Sequence, residues 1–226
     1  MAAEPVSEAH RLRLRYSKTG GAKYISHLDL LSVIRRAFLR AGLNLKYSEG
    51  FNPHPYMSAA LPLPVGCASV CELMDFGITG APETDGIAEM ISAVLPEGLK
   101  VREVYSPERK FSDIKWVEIS SRLFYDAGAA PDASARLTDI FSADRIVVAK
   151  KSKRGVSRID IAPFIMDVSI IRDDNLVMIA KVSAQDPTVS HSMLLDAISS
   201  HDRTLTPDFA LFTRTEIFDA DMKVFK

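Results

Sequence analysis

The six residues Arg11-Leu12-Arg13-Leu14-Arg15-Tyr16 alternate strictly between cationic and apolar side chains. Successive side chains of a β-strand point to opposite faces, so this period specifies a strand with one buried face and one cationic face. The next residues restrict the fold further. Lys18-Thr19-Gly20-Gly21 breaks the strand with turn residues, and Ser26-His27-Leu28-Asp29 has the spacing of a capping box at a helix start. Leu30, Leu31, Ile34, Phe38 and Ala41 then form an apolar helical stripe, Asp29, Ser32, Arg36 and Arg40 line another face, and Gly42 supplies the stop.

Residues 43–47 read as a short strand, and 56–63 and 69–78 as extended runs. A second helix is expected over 84–95, with Ile87, Ile91 and Val94 inward, and a strand over 99–105. The order is βαββαβ, the split-βαβ pattern of a ferredoxin-like sheet. Residues 113–226 repeat it more faintly. Strands are expected over 114–125 and 145–150, a hairpin over 167–171 and 176–183 around Asp173-Asp174-Asn175, and a last strand over 209–218. Helices are expected over 131–141 and 190–199. The fold class expected is α+β, as two tandem ferredoxin-like domains covering 9–106 and 113–226, with a single continuous α+β domain as the alternative.

Composition excludes several classes. No stretch approaches the ~18 apolar residues that cross a bilayer. Residues 1–10 hold Glu4 and Glu8 and no apolar run, so no secretory signal and no membrane association are expected. With 47% hydrophobic residues, long disorder is not expected either. Two cysteines make no disulfide framework, which points to a reducing cytoplasm.

The net charge of −1 argues against a polyanion partner only until it is divided by segment. Residues 1–60 carry nine Lys or Arg against four acids, +5, whereas 61–99 carry six acids and no Lys or Arg. Arg145, Lys150, Lys151, Lys153, Arg154 and Arg158 stand against Asp160 alone, again +5. Two basic regions thus flank an acidic one, and either basic run reads as a phosphate-facing surface or as a solvated face.

The loop Lys18-Thr19-Gly20-Gly21-Ala22-Lys23 precedes a helix N-terminus, a combination of close backbone approach, charge and free amides that suits phosphate. The Walker spacing is absent, and an ordinary Gly-Gly turn uses the same residues. Lys18, Gly20, Lys23, Ser26, Arg36, Arg40 and Asn52 in the first half, and Lys151, Lys153 and Arg154 in the second, form the candidate phosphate-binding set. His27 and His54 stand at element boundaries, where an imidazole could act as general acid or base on an RNA backbone or simply hydrogen-bond locally. The loop 48–55, stiffened by Pro53 and Pro55 around His54, could stack bases or be a packed structural loop. Cys67 and Cys71 are too few for an iron–sulfur cluster and lack histidines to complete a zinc site, so no metal and no cofactor are expected.

Ser17-Lys18-Thr19-Gly20, Tyr24-Ile25-Ser26-His27-Leu28-Asp29-Leu30, Arg36-Ala37, Arg40-Ala41-Gly42 and Tyr47-Ser48-Glu49-Gly50-Phe51-Asn52-Pro53-His54-Pro55 together resemble the radical-SAM-linked domain family, a bacterial family of unknown function. Ser58, Leu61-Pro62-Leu63, Gly66, Glu72 and Asp75 extend the likeness, as do Lys153-Arg154-Gly155 and Ile159-Asp160-Ile161-Ala162-Pro163, although the family usually has arginine where this chain has Ala162. The resemblance implies a partner, because such proteins are encoded beside or fused to a radical S-adenosylmethionine (SAM) protein. It also implies that cluster chemistry belongs to that partner, since the C-x-x-x-C-x-x-C motif is missing here. The function expected is an accessory module that binds substrate, RNA, for a radical SAM protein in RNA modification. The alternatives are a metal-independent RNA-processing enzyme using His27 or His54, and a protein-binding adaptor contacting its partner through the acidic 61–99 surface.

Overall fold

A computed structural model describes residues 9–80, 84–152 and 155–226, with the backbone alone for Ala9 and for Lys150, Lys151 and Ser152. The chain is a mixed α+β protein, and its internal contacts divide it between Phe111 and Ser112 into two compact units.

The first unit runs β1 (Ala9–Lys18), α1 (His27–Arg40), β2 (Met57–Ala59), β3 (Ala68–Thr79), α2 (Ile87–Ser92) and β4 (Leu99–Tyr105). Strand order is β4-β1-β3, with β2 on the outer side of β3, and every pairing is antiparallel. The alternation in β1 does what its period requires. Leu12, Leu14 and Tyr16 enter a core with Met74, Phe76 and Ile78 of β3, closed by Leu30, Ile34, Ala37 and Phe38 of α1 and by Ile87 and Ile91 of α2. The Phe38 and Phe76 rings meet at 4.7 Å between centroids. Arg11, Arg13 and Arg15 take the opposite face.

Three sequence expectations are corrected in this unit. Residues 43–47 form no continuous strand but touch the edge of β3 through the single bridge Leu45–Ile78 and the loop through Tyr47–Pro55. The extended run over 56–63 shortens to β2, because Pro62 and Pro64 have no N–H to give a ladder. The second helix shortens to α2, which starts only after Gly86 at φ +85.

The second unit runs β5 (Trp116–Phe124), α3 (Ala133–Phe141), β6 (Val147–Ser152), β7 (Gly155–Asp160), β8 (Ile165–Arg172), β9 (Leu176–Ser183), α4 (His191–His201) and β10 (Phe209–Phe218). Its sheet has the order β10-β5-β9-β8, again all antiparallel. Strands β6 and β7 pair only with each other, so the expected strand over 145–150 is one arm of a separate ribbon. Its other arm, β7, reads from sequence only as a basic turn, because Gly155-Val156-Ser157-Arg158 is exposed on both faces and carries no apolar period.

Two stability predictions follow from local geometry. Gly98 sits at φ +85 where the turn after β1 crosses the entry to β4, and its carbonyl accepts the Thr19 N–H at 2.8 Å. A Cβ there would lie inside contact distance of the Thr19 carbonyl and 2.9 Å from the Ala22 Cβ. G98A should therefore lower the unfolding free energy by about 2–4 kcal/mol, read from urea midpoints. His191 packs its ring 4.4 Å from the Phe212 ring, and burial, then the Arg214 charge, hold its imidazole below the ordinary value of 6.5. The unfolded chain therefore takes up that proton first as pH falls, so this contribution is complete above about pH 6.5 and is lost on acidification below it. Unfolding measured at pH 7.5 and at lower pH should show the decline, and H191F should flatten it.

Candidate functional site

The face of the first sheet turned away from the helices carries a polar row that the register dictates. Tyr105 of β4 stands opposite Arg13 of β1, Arg13 opposite Asp75 of β3, and Asp75 opposite Ser58 of β2. Arg13 is fully buried and Asp75 nearly so. The Arg13 Nε donates to Asp75 Oδ1 at 2.6 Å, and Nη2 donates to Asp75 Oδ2 at 3.1 Å and to the Arg109 carbonyl at 2.9 Å. Arg11, its side chain 58% exposed, donates to the same Oδ2 through Nε and Nη2. The ring of Phe111 lies 4.3 Å from the Arg13 guanidinium carbon. Beside this network, burial pushes the Tyr105 phenol above its ordinary value, although Arg13 and Arg15 oppose the shift.

Above the row opens a cleft of about 710 Å³ lined by Arg11, Lys46, Ser48, His54, Tyr56, Ser58, Asp75 and Phe111, among others. Its outer wall is the segment 46–56, pinned on both sides. Lys46 N–H donates to the Gly77 carbonyl and Gly77 N–H donates to the Tyr56 carbonyl. A Cβ on Gly77 would come within 3.3 Å of the Cβ atoms of both Tyr56 and Lys46, so a residue without a side chain allows the wall to lie this close. The loop is shut at its base where Ser48 N–H donates to the His54 carbonyl and His54 N–H donates to Ser48 Oγ. The Lys46 ammonium sits 5.4 Å from the centre of the exposed Tyr56 ring. Arg11 and Lys46 line the cleft against Asp75, whose carboxylate is itself paired with the buried Arg13, so the lining is net cationic. A cationic cleft with an exposed aromatic can take an anion and stack a planar group beside it.

Of the residues singled out from sequence, His54 lines this cleft and His27 does not. His27 is the first residue of α1, and the structure does not gather the two imidazoles into one cavity. Asn52 lies exposed in the same loop as His54 but outside the lining. Lys18, expected in the phosphate-binding set, is 1% exposed, its ammonium donates to the Ile25 carbonyl at 2.6 Å, and burial pushes its pKa down while Glu72 and Cys67 oppose the shift. Ser26 is the cap of α1, accepting from the Asp29 N–H and donating to the Asp29 carboxylate at 2.7 Å, which sets a negative charge where an anion would sit. Gly20 opens a short 3-10 turn packed by the Thr19–Gly98 contact, and Lys23 lies against the Tyr24 ring. Arg36 is exposed on α1, and Arg40 donates to the Val94 carbonyl, tying α1 to the end of α2. Lys151 belongs to β6 by its backbone, and Lys153 and Arg154 lie outside the described residues.

Sequence reasoning missed Arg11, Lys46, Tyr56, Ser58, Asp75 and Phe111. The signal for Arg11 was present in the β1 alternation, whereas Asp75 becomes its partner only through the β1–β3 register. Cys67 and Cys71 are free and buried, and among the described residues no group of three His, Cys, Asp or Glu could hold a metal ion. Among the same residues, no helix is long and apolar enough to cross a membrane.

The chain belongs to a family of uncharacterized proteins conserved in bacteria (DUF2344), which it matches over residues 11–197. No curated protein matches the sequence. Among solved structures, an unknown protein from Galdieria sulphuraria is similar at 9% identity and a TM-score of 0.26, over 92% of this chain and 98% of that one. The small subunit of acetolactate synthase from Thermotoga maritima is similar at 11% identity and a TM-score of 0.25, over 92% and 94%. Likeness at these scores bears on neither fold nor function.

The network makes a sharp contrast testable. D75A strands a buried guanidinium and should cost about 3–5 kcal/mol, whereas R11A removes a half-exposed partner and should cost about 1 kcal/mol or less. Calorimetric unfolding of the two variants measures the difference, and equal losses would contradict the assignment of Arg13 as the buried partner.

Proposed function

We propose that this chain is an accessory RNA-binding module that serves a radical SAM partner in RNA modification. The observation that carries the reading is the cleft of the first unit, where Lys46 and Arg11 stand beside the exposed Tyr56 ring, with His54 on the same wall. Single-stranded RNA is held by such pairings, the cation meeting phosphate and the aromatic face stacking a base, each stacked base contributing about 1–3 kcal/mol. The fully exposed Phe51 in the neighbouring loop offers a second stacking face. The partner enters through the sequence resemblance and through the two buried thiols, which leave no cluster site on the described residues. Buried free cysteines also suit a cytoplasmic protein.

We infer further that both units are ferredoxin-like. This is supported by the order β4-β1-β3-β2 in the first and by the matching order β10-β5-β9-β8 in the second, with the β6–β7 ribbon as an insertion. Such a sheet leaves one face open, and in the first unit that is the face of the cleft.

The test is fluorescence anisotropy of the full chain with a labelled single-stranded RNA of mixed sequence. Y56A should weaken binding about ten-fold, and K46Q should weaken it and lower the salt slope by about 1. RNA that fails to bind at low salt, or binds both variants as well as the wild type, overturns the reading. Co-purification of a cluster-bearing protein with the tagged chain is the expected outcome for the partner.

A further inference from the structure

The second unit holds a separate cleft of about 400 Å³ at the base of the β6–β7 ribbon, lined by Arg145, Val147, Arg158, Asp160 and His201. The register explains the convergence. Val147 pairs with Asp160 and Ala149 with Arg158, so Arg158 and Asp160, two apart on β7, share the ribbon face that Val147 occupies. Arg145 stands just before β6, and His201 is the last residue of α4, which packs on β6.

The charges at this cleft do not cancel. Asp160 is held by the backbone, its Oδ1 accepting the N–H groups of Ile146 at 2.9 Å and Ala162 at 3.1 Å. Neither guanidinium has a hydrogen-bond or ion-pair partner among the described residues, so two arginines face one carboxylate already bound elsewhere. The His201 Nδ1 donates to the Ala197 carbonyl at 2.8 Å, which fixes the ring and leaves Nε2 as its remaining polar atom. Two planar forks around one concavity match the tetrahedral oxygens of phosphate better than they match a carboxylate, which two arginines would oversupply with donors, and the His201 Nε2, an acceptor in the neutral ring, can take the O–H of a hydrogen phosphate.

We propose that this cleft is a phosphate-binding site, with Arg145 and Arg158 as its charged donors and His201 as its third polar wall. It shares no residue with the cleft of the first unit and stands independently of the RNA reading. The phosphate can come from the backbone of a strand or from a terminal phosphomonoester.

The experiment follows the isotope-labelled full chain by NMR during titration with inorganic phosphate, against chloride at matched ionic strength. Shifts should concentrate on the His201 ring and on the amides around Arg145 and Arg158. They should vanish in R145Q/R158Q and persist in K46Q, which alters only the other cleft. Shifts no larger than chloride produces, or shifts retained in R145Q/R158Q, overturn the proposal. If that double variant does not fold, the wild-type comparison with chloride decides alone. Titration with a short RNA bearing or lacking a 5′-phosphate separates the sources: a terminal-phosphate site prefers the phosphorylated strand about ten-fold, and a backbone site treats both alike. RNA that binds nowhere while inorganic phosphate still moves His201 removes the function proposed above and supports this site.

Discussion

The first unit depends on one buried ion pair. Burying an unpaired guanidinium costs several kcal/mol, so Arg13 can occupy the middle of a sheet only if its partners are fixed in advance. Asp75 is fixed by register, the Arg109 carbonyl and the Phe111 ring by the chain that follows β4. The pair also specifies that register. Slipping β1 by one residue against β3 would turn Arg13 into the apolar core and put Leu12 and Leu14 on the polar face, so a one-residue slip is worse by the cost of an orphaned charge. A buried ion pair of this kind contributes specificity more than net stability.

The cleft inherits its shape from that constraint. Because Asp75 is held by Arg13 from below, Arg11 can donate to the same carboxylate and still keep more than half of its side chain in solvent. Because Gly77 follows on the same face two residues later, the 46–56 segment can lie directly on the strand and carry Lys46, Tyr56 and His54 to the rim. The corresponding face of the second unit is built differently. Glu118 accepts from the Thr215 hydroxyl and pairs loosely with Lys181, which also approaches Asp167 at 4.0 Å. Long, part-exposed pairs of that kind contribute ~1 kcal/mol or less.

How much was legible in the sequence varies from element to element, and the reasons are physical. β1, α1, β4 and β10 were readable because period, caps and breakers agreed over the whole element: alternation in β1, Ser26 and the Leu30–Phe38 stripe in α1. The short pieces were not. β2 is three residues long and owes its conformation to β3, and β7 has no apolar alternation to show. Residues in the candidate sites divide along the same line. Lys18 and Ser26 look like anion ligands in a linear reading because their charge and hydroxyl are visible there, but the Ile25 carbonyl and the Asp29 carboxylate that occupy them are visible only in the fold. Asp75 and Lys46 failed in the opposite direction, each ordinary in its own segment and informative only beside Gly77 and Arg11.

Net charge is the quantity that misleads most in a chain like this. A total of −1 is compatible with two cationic concavities because acids and bases are sorted by element, and the sorting has a mechanism. In the first unit the arginines of β1 are confined to one face by strand period, and Asp75 neutralises one of them rather than the cleft. In the second, Asp160 is held by two backbone amides, so its presence among Arg145 and Arg158 does not discharge them. In both clefts a carboxylate organises the cations without cancelling them. Since field strength at a concave surface follows the local excess and not the molecular sum, each unit can attract an anion while the whole chain stays close to neutral.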